Sequence, residues 1–581
     1  MSHLTPPSEA DSAGVRGPKA CVTCARAKVK CIFDPEATIC TRCRRLRKPC
    51  AGQEPGTHRR KLKDPSDVAK LDRKLDGVAA IPATSNRVGG LQRSDQSLHS
   101  GPFGLSPLEH VQQVLESEDE ALLILNTYRT SMAQYFPFVV VPPDMTLEEL
   151  KLRPFLFMTI MTIACRHHLE RQSSLARKVR EAIAQKILLK GEQSLDILQG
   201  LLIYLAWYHI HFHLGSQLGN LVHLIMAQLS DLGLNKSPNP RHHPGFFGYF
   251  RPEVQLPKRT RPERRAYLGG LYVSTLVSMN SRELEPIRFS AYTEECCQVL
   301  EKEAEYPSDN FLVHLVRIAR MSGRIARTIS PDDWSNSSTL SAPMGAYVKA
   351  LDAELKSIKQ TLPSGTILAD ILWLHYHLME IYLYGVAVHD TNNSASYGDF
   401  SMTRLKMLFA CLDSTKSFFD TWYAIPISAY LDSSYFPWTL LGHASVVLSK
   451  LCLYDEQGWD PGYASDTIDF CTTVDKVIAR MEEAKAAAKQ ATLHNLDAPS
   501  SFAVPHIFND IVPKMQQWKE LQNYRASQLR HRQRPQQRMS TESGETETIA
   551  SNIPNDEFLF PGGTSLMDFL DDSFWPQFPT G

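Results

Sequence analysis

Residues 21–50 read CVTCARAKVKCIFDPEATICTRCRRLRKPC, and one cysteine spacing is written in them twice. Cys21, Cys24 and Cys31 follow C-x2-C-x6-C; after an eight-residue loop, Cys40, Cys43 and Cys50 repeat it. Two thiolates separated by two residues can close on one metal ion, and tetrahedral zinc takes four such ligands. Six thiolates are two too many for one zinc and two too few for two separate ones. If two sulfurs bridge, six fill all eight positions around a pair of ions. The arithmetic points to a binuclear cluster.

The residues between the cysteines indicate its partner. Six thiolates and two Zn²⁺ sum to roughly −2, so a few neighbouring cations would serve as charge compensation. The stretch supplies more than that: Arg26, Lys28, Lys30, Arg42, Arg44, Arg45, Arg47 and Lys48, with Arg59, Arg60, Lys61 and Lys63 following. Such a density on one small unit is an electrostatic footprint for a polyanion, and nucleic acid is favoured. The competing reading is a solvated basic face on a purely structural zinc knot.

The full pattern, C-x2-C-x6-C-x8-C-x2-C-x6-C, resembles the fungal Zn2Cys6 (zinc binuclear cluster) transcription factors. The resemblance implies that Cys21 and Cys40 bridge two zinc ions, with Cys24 and Cys31 completing one shell and Cys43 and Cys50 the other. It implies that Lys28 reaches base edges of a CGG-type triplet in the major groove, while Arg26, Lys30 and the second-half cations hold phosphates. The chain departs from the family's commonest form at Ala25 and Ala27, where many members carry Arg or Lys, and at Ile32, where Asp often follows the third cysteine. Pro35 lies in the inter-half loop but not immediately before Ile39–Cys40.

Working outward, 581 residues leave room for several domains and a large core beyond the cluster. A hydrophobic fraction of 43% is that of a globular chain. The formal net charge of −1 hides an asymmetry: residues 16–63 carry roughly +11 and residues 539–581 roughly −8. The cysteines outside the cluster, Cys165, Cys296, Cys297, Cys411, Cys452 and Cys471, sit in apolar surroundings and read as buried thiols of a reducing compartment. The start, MSHLTPPSEADSAGVRG, has no apolar h-region. The most lipid-like run, PFLFMTIMTIAC (154–165), is too short to span a bilayer. A soluble nuclear protein with no membrane partner is expected.

Residues 1–20 read as a disordered N-terminus, 21–50 as the Zn2Cys6 DNA-binding domain, and 51–66 as a basic linker that could serve nuclear import. In DVAKLDRKLDGVAAI (67–81), Val68, Leu71, Leu75 and Val78 form a 3-4-3 seam that predicts a short coiled coil. Isolated helices shorter than ~12–15 residues are marginal in water, so a lone amphipathic helix packed on its own chain is the alternative. The position just after a basic linker is where the resembled family places its dimer helix, which implies a homodimer. Residues 82–105 form a second, Gly/Ser-rich linker.

From residue 106 to 520 the pattern is helical nearly throughout and predicts a large all-α regulatory domain. EHVQQVLESEDEALLILNTYRTSMAQYF leads to Pro137, SLARKVREAIAQKILLKG stops at Gly191, and Ser194 is a credible N-cap for the next helix. SLDILQGLLIYLAW and RTRPERRAYLGGLYVSTLVSMNSRELEPIRF resemble the middle homology region of the same fungal family, over about 106–480. His209, His211, His213 and His223 invite a metal reading, but no carboxylate or cysteine stands at ligand spacing, so core or surface histidines are expected. Adjacent Cys296–Cys297 reads as packing. G-x-S-x-G, P-loop and H-E-x-x-H motifs are absent, and nothing in the chain asks for an enzyme.

Residues 521–581 read as a disordered tail ending in an acidic-hydrophobic segment. There Leu566, Phe569, Leu570, Phe574 and Trp575 are interleaved with Asp568, Asp571 and Asp572, a composition suited to binding a coactivator groove as a short helix. The whole predicts a small binuclear-cluster domain, a short coiled coil and a large all-α domain between disordered termini. The function expected is a DNA-binding RNA polymerase II transcription factor with two Zn²⁺ per chain, acting as an activator through coactivators. The alternative is a ligand-responsive regulator or repressor whose middle domain senses a small metabolite.

Overall fold

The computed structural model describes residues 20–26, 30–32, 38–51, 106–166, 168–238, 258–280, 284–329, 344–389, 401–454, 458–493 and 506–536. The chain divides into two units, residues 1–98 and 99–581. Among the described residues all regular structure is helical. The seam at Val68, Leu71, Leu75 and Val78, the linkers at 52–66 and 82–105 and the segment bearing Leu566–Trp575 lie outside the described residues.

Apolar sequence decides which helices are central in the larger unit. Every residue of Pro154–Ala164 from Phe155 onward is buried, and this helix packs on Pro107–Val114, Leu169–Ile183 and Leu195–Ala206. A second centre is Ile367–Tyr384, set against Ser308–Ile329, Met344–Lys359, Ser401–Ala424 and Tyr435–Leu453. Arg261–Asn280 joins the two, touching Leu195–Ala206 and Leu218–Asp231 on one side and Ser308–Ile329 on the other. Fully burying one large apolar side chain contributes about 1.5–3 kcal/mol, so these centres carry the stability.

Helix ends are set by short polar side chains. Ser194 accepts the N–H of Ile197 at 3.2 Å and starts Leu195–Ala206 as expected. In the first turn of that helix, Asp196 caps a different one: its carboxylate accepts the N–H groups of Phe155 and Leu156 at 3.1 and 2.8 Å. The long block 109–136 is not one helix. Ser117 accepts the N–H of Glu120 and restarts the chain as Glu118–Thr127, after a break that sequence periodicity does not register. Gly191, at φ 64°, ends the next long block, whose final stretch Ala184–Leu189 is wound as a π-helix.

Two glycines permit close crossings. A Cβ on Gly200 would meet the Phe155 ring at 2.4 Å, and one on Gly269 would meet the Phe138 Cβ at 2.7 Å. Nearby, fully buried Asp309 holds Arg265 through two bonds of 2.7 and 2.9 Å, with Glu305 at 2.7 Å and the Tyr306 ring 4.8 Å from the guanidinium carbon. Breaking such a buried pair on one side costs about 3–5 kcal/mol, because the remaining charge is stranded.

The boundary expected at residue 520 falls inside a helix. His506–Gln536 runs past it because Trp518 and Gln522 are buried, and Gln522 exchanges bonds with Ser449 at 2.7 and 2.9 Å. Tyr435–Leu453 is long and apolar enough to cross a membrane, but 72% of that window is buried within the protein, as in a core helix.

Candidate metal centre and nucleic-acid interface

The two halves of the cysteine stretch fold alike. Cys21 Sγ accepts the backbone N–H of Cys24, and Cys40 Sγ that of Cys43, both at 3.4 Å. Each sulfur thereby caps the five-residue helix behind it, Val22–Arg26 or Thr41–Arg45. Cys21 donates its own N–H to Cys31 Sγ, and Cys40 donates to Cys50 Sγ, again at 3.4 Å. The halves are then laced reciprocally, Val22 N–H to the Ala51 carbonyl at 2.9 Å and Thr41 N–H to the Ile32 carbonyl at 3.0 Å. Each bond maps onto its mate by a shift of nineteen residues.

That symmetry gathers the sulfurs. Cys21 Sγ lies 3.9 Å from Cys40 Sγ and 3.7 Å from Cys43 Sγ, and Cys40 Sγ lies 3.7 Å from Cys24 Sγ. Cys21 and Cys40 therefore each face sulfurs of both halves. Cys31 interacts with Cys21, Cys24 and Cys40, while Cys50 interacts with Cys21 and Cys40. Cys21, Cys24, Cys40 and Cys43 are buried, with their sulfurs within 4.8 Å of one another, and could hold a metal ion. Half-buried Cys31 and Cys50 pack against them. The donor set fits zinc: all are soft thiols, and a Zn–S bond near 2.3 Å in a tetrahedron separates sulfurs by about 3.8 Å.

Proton affinity differs among these thiols. The Cys43 N–H holds the Cys40 thiol down to about 6, and the Cys24 N–H lowers Cys21. The Cys21 N–H pulls Cys31 the same way, but desolvation and the neighbouring sulfurs outweigh it and push that thiol up to about 12. Desolvation, then the neighbouring thiols, raises Cys43. Cys21 and Cys40, which face both halves, are the thiols favoured as thiolates.

Around this centre Arg26, Lys30, Arg44, Arg45, Arg47 and Lys48 are exposed and Arg42 is half-buried; Lys28 lies outside the described residues. Arg47 stands at φ 47°, in the left-handed region that favours glycine.

The middle-region histidines do not assemble. His209 and His211 are buried, His213 and His223 exposed. Burial holds His209 and His211 down to about 3, so they are neutral core groups. Among the described residues no second group of three or more His, Cys, Asp or Glu side chains shares a metal-sized space. Cys296 and Cys297 are buried, and burial raises both thiols, in keeping with packing. Sequence reading overlooked an arginine stripe at Arg317, Arg320, Arg324 and Arg327, although RIAR is written there twice, seven residues apart.

The sequence family of the WAR1 C-terminal domain matches residues 104–423. The chain belongs to that family of fungal transcription factors, and its N-terminal cysteines fit a Zn2Cys6 site. Among similar proteins, the transcription factor opdL of Penicillium oxalicum is 29% identical over 80% of this chain and 83% of its own length. The transcription factor himD of Aspergillus japonicus is 27% identical over 96% of this chain and 93% of its own. A transcription factor of Aspergillus terreus is 24% identical over 62% of this chain and 55% of its own. The chain has a transcription-factor role, with the DNA binding and nuclear action that role implies, and is a regulator and not an enzyme.

Proposed function

We propose that this chain is a sequence-specific RNA polymerase II transcription factor that reads CGG-type triplets through a two-zinc cluster. Cys21 and Cys40 bridge the ions, Cys24 and Cys31 close one shell, and Cys43 and Cys50 close the other. Zinc, when bound, supplies structural closure of a unit too small to bury a core of its own. The observation that carries this reading is the position of Cys21 and Cys40, each within 3.9 Å of sulfurs from the opposite half, beneath a surface of exposed cations.

Lys28 contacts base edges, while Arg26, Lys30, Arg42, Arg44, Arg45, Arg47 and Lys48 hold phosphates and set the register on the duplex. Val68, Leu71, Leu75 and Val78 pair two chains, so that two triplets are read at once. Leu566, Phe569, Leu570, Phe574 and Trp575 engage a coactivator, making the protein an activator located in the nucleus. The domain limits are those of the sequence reading, with the helical region extended to Gln536.

Selection from random duplex DNA with the full chain tests the reading. Enrichment of paired CGG-type triplets is expected, and enrichment of no motif contradicts it. For the tail, residues 555–581 fused to an unrelated DNA-binding domain should activate a reporter, and Phe569→Ala with Phe574→Ala should abolish activation. A silent fusion would remove the activator assignment alone.

A further inference from the structure

On the helix Ser308–Ile329, the sequence RIAR at 317–320 recurs at 324–327. Its two isoleucines, Ile318 and Ile325, are buried, so the repeat turns its arginines to the other side. Arg317, Arg320, Arg324 and Arg327 stand at 3-4-3 spacing, which aligns them along one helix face. That face lines a cavity of about 470 Å³, closed on the other side by the segment Phe289–Cys297. The volume lies in the range of small-molecule sites, roughly 300–1,000 Å³. Four guanidinium groups meet only one acidic side chain in the lining, Glu294, beside an apolar floor that includes Val316.

Ion pairs engage three of the four arginines. Arg317 is held by Glu301 through two bonds of 2.9 Å, and Arg324 by Glu354. Glu294 is shared, 3.3 Å from Arg317 and 3.8 Å from Arg320. Arg327 is exposed and forms no ion pair with a described residue. Three carboxylates, Glu294, Glu301 and Glu354, stand against four guanidinium groups, so the face keeps one positive charge in excess, and an anionic occupant offsets it. A guanidinium fork suits the paired oxygens of carboxylate or phosphate, and the apolar floor accepts a carbon skeleton.

We propose that this cavity binds a small organic polyanion, a polycarboxylate or a phosphorylated metabolite, with Arg320 and Arg327 as its principal anchors. The proposal rests on the regulatory reading of the middle region and deepens it, since a sensed metabolite would act here. Binding is measured without DNA, so failure of the site and failure of the DNA reading are separable.

Calorimetric titration of the full chain would use tricarballylate and fructose 1,6-bisphosphate as probes, with sodium chloride at equal ionic strength as the blank. At least one probe should saturate a single site, and the preferred one identifies carboxylate or phosphate as the recognised group. Arg320→Gln with Arg327→Gln should weaken binding about tenfold or more, the loss expected for charge-assisted hydrogen bonds, while leaving the melting temperature without ligand unchanged. Glu294→Gln, which removes the competing carboxylate, should tighten binding, so the test stands even where the arginine variant folds poorly. Heats equal to those of salt for both probes overturn the proposal. So does equal affinity across the wild type, the double variant and Glu294→Gln.

Discussion

Lys48 donates its backbone N–H to the carbonyl of Cys43 at 3.1 Å, closing a turn in which Arg47 stands at φ 47°. Arg47 donates to Arg44 at 3.3 Å, and the two bonds end the helix Thr41–Arg45 at a position usually given to glycine. A side chain there costs about 1–2 kcal/mol. Arg47→Gly should therefore stabilise the zinc-loaded cluster by about 1 kcal/mol, read as a raised midpoint of its unfolding. On the proposed phosphate role it should also weaken all DNA sequences alike and reduce the salt slope by about one charge. Unchanged DNA affinity and salt slope would show that the cation at Arg47 has no part in binding.

Lys28 is the counterpart of Arg47 nineteen residues earlier, in the first half of the repeat. As a base contact it differs from its mate in what its loss does. Lys28→Ala should cost about 1–3 kcal/mol on the selected site and relax the choice of triplet, measured by competition between specific and random duplexes. Equal weakening on both would reassign it to the phosphate backbone.

Burial of His209, His211, His375 and His443 sets an acid limit on the larger unit. It holds His209 and His211 down to about 3, and His375 and His443 to about 4. The His375 ring has its Nδ1 2.8 Å from the Ile371 carbonyl and its Nε2 2.8 Å from the Tyr272 hydroxyl. Because the folded values lie below the unfolded value of about 6.5, the unfolded chain takes up protons first as pH falls. Stability should be flat above pH ~6.5 and decline below it, by up to ~1.4 kcal/mol per pH unit for each histidine. Denaturant midpoints at pH 7.5 and 5 read the effect, and raised Asp196 and Asp432, which act with the opposite sign, can only reduce it. Equal midpoints would mean that these rings are protonated in the fold.

How much of this is legible in the sequence follows from the range of each interaction. The cluster is legible because its chelating pairs are three residues apart, and the structure brings Cys21, Cys24, Cys40 and Cys43 together as that spacing requires. Helices are legible where one face is apolar, and Ser194 is a cap whose partner lies three residues on. Asp196 is not legible in the same way, because the N–H groups it accepts belong to Phe155 and Leu156, some forty residues away. Gly200 and Gly269 likewise take their meaning from Phe155 and Phe138 on other elements. The extension of the last helix beyond residue 520 depends on Gln522 meeting Ser449, which a polar, basic composition conceals. The RIAR repeat is local and readable, but its arginines gain a site only when Phe289–Cys297 folds across from them.

The central claim is that six thiols form one two-metal unit, and the metal content of the full chain under native conditions tests it most directly. Intact-mass measurement should find two zinc ions per chain, with a chelator abolishing DNA binding as they are removed. Cys21→Ala or Cys40→Ala should lose both ions, because each removed sulfur faces both halves, whereas Cys24→Ala should retain one more readily. One zinc per chain in the wild type, with Cys31→Ala and Cys50→Ala keeping it in full, would contradict the account.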